Sequence, residues 1–322
     1  MTPASQSLKP DHILHELSEL WTSTGRKQAG EPGASGVLRA CSMTLIVLVD
    51  DESDAMALGG TILQLMRGHP SRVIVVRIRD DAGVLESRVF AQCWMPFGQR
   101  QQICCEEIEI SASLDRVPDL PSIVSPLTAA DVPRVLWFRS GRISQVADVG
   151  EILTLGDKMI FDSAFGGSPE FADLRVLQKA GYIIGDLAWT RLTRLRELIA
   201  QLLDGRAHQI ARIEIEYDGN EAPPSVRYLQ AWFRSQLPAA AVSLRRVDAS
   251  AKPALKTVRI GPDTTIHAGS NCAEYEVAGM RKRAHLPECT EADLLNEELS
   301  IMTRDPIFER ALERTTPWTP PC

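Results

Sequence analysis

The stretch Met43–Ile78, MTLIVLVDDESDAMALGGTILQLMRGHPSRVIVVRI, decides the fold class. Met43 to Val49 is a continuous apolar run, the pattern of a strand buried on both faces. Ser53 to Arg67 keeps a 3.6-residue apolar period through Ala57, Ile62, Leu65 and Met66, until Gly68 and Pro70 stop it, so a helix is predicted there. Arg72 to Ile78 is a second strand. Strand, helix, strand in this order implies a mostly parallel sheet with helices on its faces.

Working outward, Val84–Cys93 and Ile103–Ile110 read as two more strands, paired in a hairpin around Met95 to Arg100, where Pro96 and Gly98 mark a turn. The proline-rich stretch Pro118–Pro133, with Thr128 a possible cap, holds a short helix and leads into a second β-α-β-α rhythm. That rhythm has strands at Arg134–Phe138 and Lys158–Asp162, with helical patterns at Ser144–Leu155 and Pro169–Ala180. One long helix is predicted over Asp186–Asp204, a strand over Ile210–Tyr217 and a helix over Pro224–Leu237. Short β-type runs follow at Val242–Val247, Leu255–Ile260, Thr264–His267, Ala273–Val277 and Arg281–His285, and then a helix over Glu291–Met302. Upstream, Ile13, Leu14, Leu17, Leu20 and Trp21 share one helical face, an amphipathic arm that needs a surface to dock on. Thr22 to Gly36 has the composition of a flexible linker.

The expected architecture is therefore α/β: two units with mostly parallel or mixed sheets flanked by helices, the second followed by a strand-rich α+β part. The expected divisions are arm and linker 1–36, first domain 37–125, second domain 126–314 and a proline-rich tail 315–322.

A length of 322 residues suits two cores. With 35 basic and 42 acidic residues the chain carries a net charge of −7 and no basic stripe interleaved with aromatics, which argues against nucleic acid. No apolar run approaches the roughly 20 residues of a membrane helix, and residues 1–10 lack a secretory pattern, so a cytoplasmic protein is expected. The odd set of seven cysteines is scattered without regular spacing, which speaks against a disulfide framework and for mostly reduced thiols.

Familiar catalytic signatures are missing: GxxxxGK[ST], GxGxxG and GxSxG do not occur. His12, His15 and Glu16 could meet on one helix face, but with no further ligand indicated they read as the polar flank of the arm. Neither a metal nor a cofactor is expected. Gly166, Gly167 and Ser168 either cradle an anion at a helix start or supply a plain cap, with Ser168 bonding free N–H groups and Pro169 at the first helical position.

Two segments ask for an explanation. In Asp186–Leu198, taking Trp189 as zero at about 100° per residue, Leu192, Leu195, Leu198, Ile199, Leu202 and Leu203 share one face. Arg191 falls inside that face and Arg196 at its edge. A half-buried guanidinium must be matched, either by an internal ion pair to Asp162 or Asp186 or by a bound anion. Alternatively Trp189, Arg191 and Arg196 anchor a partner protein. In the second segment, Trp94, Met95 and Phe97 crowd a turn beside Arg100, a contact patch unless the loop folds back. Adjacent Cys104 and Cys105 point to opposite strand faces, so one belongs to the core and the other is at most a reactive thiol.

These segments also carry a family resemblance. The pieces are His69-Pro-Ser-Arg-Val-Ile-Val-Val, Gly98-Gln-Arg-Gln-Gln-Ile-Cys-Cys-Glu-Glu-Ile-Glu-Ile, Val135-Leu-Trp-Phe-Arg, Ile160-Phe-Asp-Ser-Ala and Asp186-Leu-Ala-Trp-Thr-Arg-Leu-Thr-Arg-Leu-Arg-Glu-Leu. In this order, together with the helical region Glu291–Arg310, the chain resembles the OpcA family of glucose-6-phosphate dehydrogenase assembly proteins from roughly Val37 to Leu312. The loop Trp94–Gly98 departs from the family's glycine-rich turn. The resemblance implies a non-catalytic partner of glucose-6-phosphate dehydrogenase in the oxidative pentose phosphate pathway, and supplies no list of functional residues. The competing expectation from the residues alone is a sugar-phosphate or nucleotide binding enzyme or sensor with an arginine-lined anion pocket.

Overall fold

The computed structural model describes residues 8–28, 35–94, 101–142, 150–166, 168–248, 253–269 and 271–315. The chain divides into two compact units, one of residues 1–161 with 165–168 and one of 162–164 with 169–322.

Unit 1 begins with α1 (Pro10–Gln28) and contains β1 (Ser35–Arg39), β2 (Met43–Asp50), α2 (Ala55–Gly68), β3 (Ser71–Arg79), β4 (Leu85–Trp94) and β5 (Gln101–Ser113). After a run of short 3₁₀ turns and α3 (Leu120–Val124) come β6 (Arg134–Arg139), α4 (Gly150–Leu153) and β7 (Lys158–Phe161). The strands run in the order β1-β5-β3-β2-β6-β7, with β4 antiparallel to β5 and the other pairs parallel. β2 lies at the centre, which is why Met43 to Val49 are all buried and why the segment carries no alternation. α2 starts because the Asp54 side chain accepts from Met56 N and Ala57 N, and it buries Leu58, Ile62, Leu65 and Met66.

α1 is docked on β4, burying Ile13 and Leu17. The Trp21 Nε1–H donates to Glu106 Oε1 at 2.6 Å. The helix runs on to Gln28, so the first part of the expected linker, Thr22 to Gln28, is helical, and Ser35 and Gly36 open β1. Composition alone misled there, because the helix was already nucleated by a packed apolar face.

Unit 2 contains α5 (Phe171–Lys179), β8 (Ile183–Asp186), α6 (Leu187–Thr190), α7 (Thr193–Leu203), β9 (Arg212–Asp218), α8 (Pro224–Gln236), β10 (Ala241–Asp248), β11 (Ala254–Ile260), β12 (Thr264–Ala268), β13 (Cys272–Val277), β14 (Met280–His285), α9 (Glu291–Leu299) and α10 (Pro306–Glu313). Its sheet is ordered β10-β9-β11-β12-β13-β14. β9, α8 and β10 make a parallel crossover, and the remaining pairs are antiparallel. Ile213, Ile215, Tyr217, Val258, Ile260 and Ile266 form the buried sheet face. The helical layer centres on Trp189, Tyr228 and Phe308, whose ring centroids lie 5.7–5.9 Å apart.

Three expectations are corrected. β6 and β7, placed above in the second domain, belong to the first sheet, so the division falls at Phe161 and not at residue 125. Asp186–Asp204 is a short strand end followed by two helices, with a turn at Arg191 and Leu192 between them. Of the helix expected over Ser144–Leu155, only Gly150–Leu153 is helical among the described residues.

Candidate functional site

The buried polar centre of unit 2 is built where β8 turns into α6. Asp186 has no exposed surface and caps α6: its Oδ1 accepts from Ala188 N at 2.9 Å and Ser163 N at 3.0 Å, and its Oδ2 accepts from the Tyr228 hydroxyl at 2.7 Å. Burial pushes this carboxyl up to about 6, against the downward pull of those three donors. One turn on, Thr190 Oγ1 donates to Glu298 Oε2 at 2.9 Å. The Glu298 carboxylate lies where any side chain at residue 185 would sit: a Cβ on Gly185 would fall 2.1 Å from Glu298 Oε1. A side chain at 185 would have to push the Glu298 carboxylate away from its Thr190 bond.

Arg191 makes a bidentate pair with Asp162, Nη1 to Oδ1 at 2.7 Å and Nη2 to Oδ2 at 2.6 Å. Burial works to lower the guanidinium, and the Asp162 bonds outweigh it, so its affinity for the proton rises. Arg196 lies flat on Trp189, 3.6 Å from the ring centroid, and donates to Thr193 Oγ1 at 3.0 Å. Its Nε finds no acceptor among the described residues, and burial brings the group down to about 10. Trp189 itself is 3% exposed, a core residue wedged against Tyr228 and Phe308. Of the three expected anchors, only the arginines reach the surface. The network orders the β8–α6 turn, with Asp186 fully buried beneath Tyr228.

The Gly166–Ser168 stretch does not cap a helix as expected. α5 is capped at Glu170, whose backbone N–H donates to Asp173 Oδ2 at 3.2 Å, and a carboxylate in the first turn opposes an anion there. Gly167, Phe97 and Arg100 lie outside the described residues, and Trp94 is the last residue of β4. Cys104 is not a free thiol: it sits directly opposite Cys93 across the β4–β5 pair and is bonded to it. This corrects the expectation that Cys104 is at most a core or reactive thiol, while Cys41, Cys105, Cys272 and Cys289 are free as expected; the signal for the bond was the strand register, which spacing alone does not reveal. Cys105 faces the core with its thiol pushed up to about 11 by burial.

The C-terminal edge of the unit 1 sheet is where open α/β folds hold ligands. Here the β2–α2 connection reads Asp50-Asp-Glu-Ser-Asp54, an acidic turn that sequence reasoning passed over although it was in plain view. Asp54 takes the free N–H groups of α2, Asp50 accepts from Ser140 Oγ and, at 3.0 Å, from Gly141 N. The arginines beside it are held internally. Arg77 pairs with Glu109 at 3.1 Å, Arg79 with Asp81 at 2.9 Å, and Arg142 with Asp80 and, at 3.0 Å, Glu52. A cleft of about 420 Å³ remains between these side chains. No group of three or more His, Cys, Asp or Glu among the described residues is arranged to hold a metal, and no described helix is long and apolar enough to cross a membrane.

Fold and site together define a two-unit α/β protein whose customary ligand edge is a cleft lined by paired carboxylates and arginines. The chain belongs to the OpcA family. Residues 63–179 match the family profile described as the glucose-6-phosphate dehydrogenase subunit N-terminal domain, and residues 182–312 match the C-terminal domain of the same description. It is 27% identical over 181 residues to a protein of Synechocystis sp. provisionally named OxPP cycle protein OpcA, covering 52% of this chain and 37% of that one. The same name and identity apply to a Nostoc punctiforme protein, with 52% and 38% covered. The matched stretch thus spans well under half of these relatives. Among solved structures, a biliverdin reductase from Synechocystis sp. is 10% identical with a TM-score of 0.47, covering 84% of this chain and 96% of that one. A Gfo/Idh/MocA family oxidoreductase from Vibrio cholerae is 10% identical with a TM-score of 0.45, covering 85% and 95%.

Proposed function

We propose that this chain is a non-catalytic assembly factor of the cytoplasm that binds glucose-6-phosphate dehydrogenase and favours its active oligomer or conformation. The observation that carries the reading is the pair of profile matches, in order, to the two domains described as those of a glucose-6-phosphate dehydrogenase subunit. The acidic β2–α2 turn supports it from the physical side, since a cofactor phosphate there would meet carboxylates and a helix start already capped by Asp54. The rival anion pocket would use Arg191, Arg196 and Asp162; Arg191 is committed to Asp162, which weighs against it, while the Arg196 Nε has no acceptor among the described residues. An assembly factor acts only through differential affinity for the active state. Purified chain added to the dehydrogenase of the same host should change its oligomer size by light scattering or raise its rate. Unchanged size and rate over a broad concentration range would overturn the proposal.

A further inference from the structure

β13 and β14 form a hairpin at one edge of the unit 2 sheet, and no strand among the described residues pairs with the outer side of β14. Ala278 and Gly279 make the turn, with φ of 50° and 79°, the doubly positive signature of a two-residue type I′ hairpin. Such a turn makes Val277 and Met280 a hydrogen-bonded pair, and the pattern repeats at every second residue of an antiparallel ladder. The Leu286 N–H, donating to the Asn271 carbonyl at 3.1 Å, lies on the same alternation. Lys282 and Ala284 therefore spend their main-chain groups on β13, while Arg281 and Arg283 turn theirs toward the open edge.

The residues with free main-chain groups are thus the arginines of Met280-Arg-Lys-Arg-Ala-His285. Arg281 is 88% exposed. The inner side of β14 shows what such a strand selects: Glu276 stands opposite Arg281 and Glu274 opposite Arg283, and the Arg281 Nε–H donates to Glu276 Oε2 at 3.0 Å. On the inner side the register sets acid opposite each arginine, while the Arg283 Nη2–H donates to Cys272 Sγ at 3.0 Å; no described strand supplies such a complement on the outer side.

We propose that the free edge of β14 binds an extended acidic segment of another protein, which adds as a further strand with carboxylates opposite Arg281 and Arg283. A second copy of this chain is a poor occupant. β14 laid antiparallel on itself about Arg281 to Arg283 sets arginine or lysine against its own kind, and like charges directly opposite repel. The other edge strand, β10, carries Arg245 and Arg246 and offers no complement. The same basic side chains that keep the edge from self-association leave it selective for acid. The inference does not require the partner to be the dehydrogenase.

The test uses the full-length protein and a fluorescein-labelled peptide, acetyl-Thr-Glu-Val-Glu-Thr-amide extended by serines, with a Lys-for-Glu counterpart. Anisotropy and amide hydrogen exchange are read at low and high salt. The acidic peptide should bind, more weakly as salt rises, and should protect the amides of Arg281 and Arg283. The lysine peptide should not bind. Charge reversal in R281E/R283E should weaken binding roughly tenfold or more, and R281Q/R283Q serves should reversal disturb the hairpin. Equal binding of both peptides, full binding by the folded variants, binding without protection of those amides, dimers formed through β14, or no binding at all would each overturn the proposal. Dehydrogenase activity and assembly are not read, so this inference and the assembly proposal fail separately.

Discussion

Replacing Asp186 by Asn should change the pH dependence of stability more than stability itself. The carboxyl is raised from the ordinary 3.8 to about 6 by burial. That is about two pH units, each worth about 1.36 kcal/mol, so carrying the charge in the folded chain costs ~3 kcal/mol above pH 7. Because the folded value is the higher one, the proton-linked stability is fully present below about pH 4 and is lost as pH climbs through 6. Asparagine keeps the contacts: its Oδ1 accepts from Ser163 N and Ala188 N as the aspartate does, and its amide donates to the Tyr228 hydroxyl, which can turn from donor to acceptor. Urea unfolding of both proteins from pH 3.5 to 7.5 should show the variant gaining ~3 kcal/mol relative to the parent across that window. Asp186→Ala, which strands three buried donors, should be destabilised at every pH by several times ~1 kcal/mol. Parallel stability curves for parent and Asp186→Asn would refute the argument that a charged, desolvated carboxylate sits at this turn.

Gly185→Ala should cost ~1–3 kcal/mol by overpacking against Glu298, and a double-mutant cycle with Glu298→Ala should recover part of the loss; an additive cycle would place the strain elsewhere. In a non-reducing digest, the peptides holding Cys93 and Cys104 should appear as one linked species, with Cys105 the thiol slowest to alkylate in the folded chain. Prompt alkylation of both Cys93 and Cys104 without reductant would disprove the bond.

What could be read beforehand follows from how local each determinant is. Met43 to Val49 announces a central strand because burial on both faces removes alternation, and Pro224 starts α8 where a fixed φ suits the first turn. The break after Thr190 is different. Leu192, Leu195 and Leu198 continue the helical period straight through it, so the apolar pattern gives no sign of the break between α6 and α7. The four residues of β8 are too few to show a pattern, and the close approach at Gly185 is set by a carboxylate far downstream. Arg191 was legible as a cation requiring a match, and Asp162 was named among its partners, because a charge on an apolar face is a local contradiction. The Cys93–Cys104 bond depends on a register across two strands, and sheet membership of β6 on its pairing with β2 and of β7 on its pairing with β6, none of which spacing encodes.

The acidic turn after β2 also bears on how such a chain can influence an enzyme's reaction. A phosphate seated at the start of α2 would have to displace Asp54 from Met56 N and Ala57 N, losing the donors that make a helix start attractive to anions. Asp51 and Glu52 beside it are already in ion pairs with Arg79 at 3.6 Å and Arg142 at 3.0 Å, so the turn presents matched charges to such a phosphate. Of the nearby guanidiniums, Arg77, Arg79 and Arg142 are matched by Glu109, Asp81 and Asp80, and Arg88 also lines the cleft. What the structure shows at this edge is that the helix-start donors are already taken by Asp54 and that most of the nearby charges are paired with one another. Under the assembly proposal, what the chain contributes to a dehydrogenase comes as a difference in binding free energy between two states of that enzyme, and nothing at this edge has to bind nucleotide for the difference to exist.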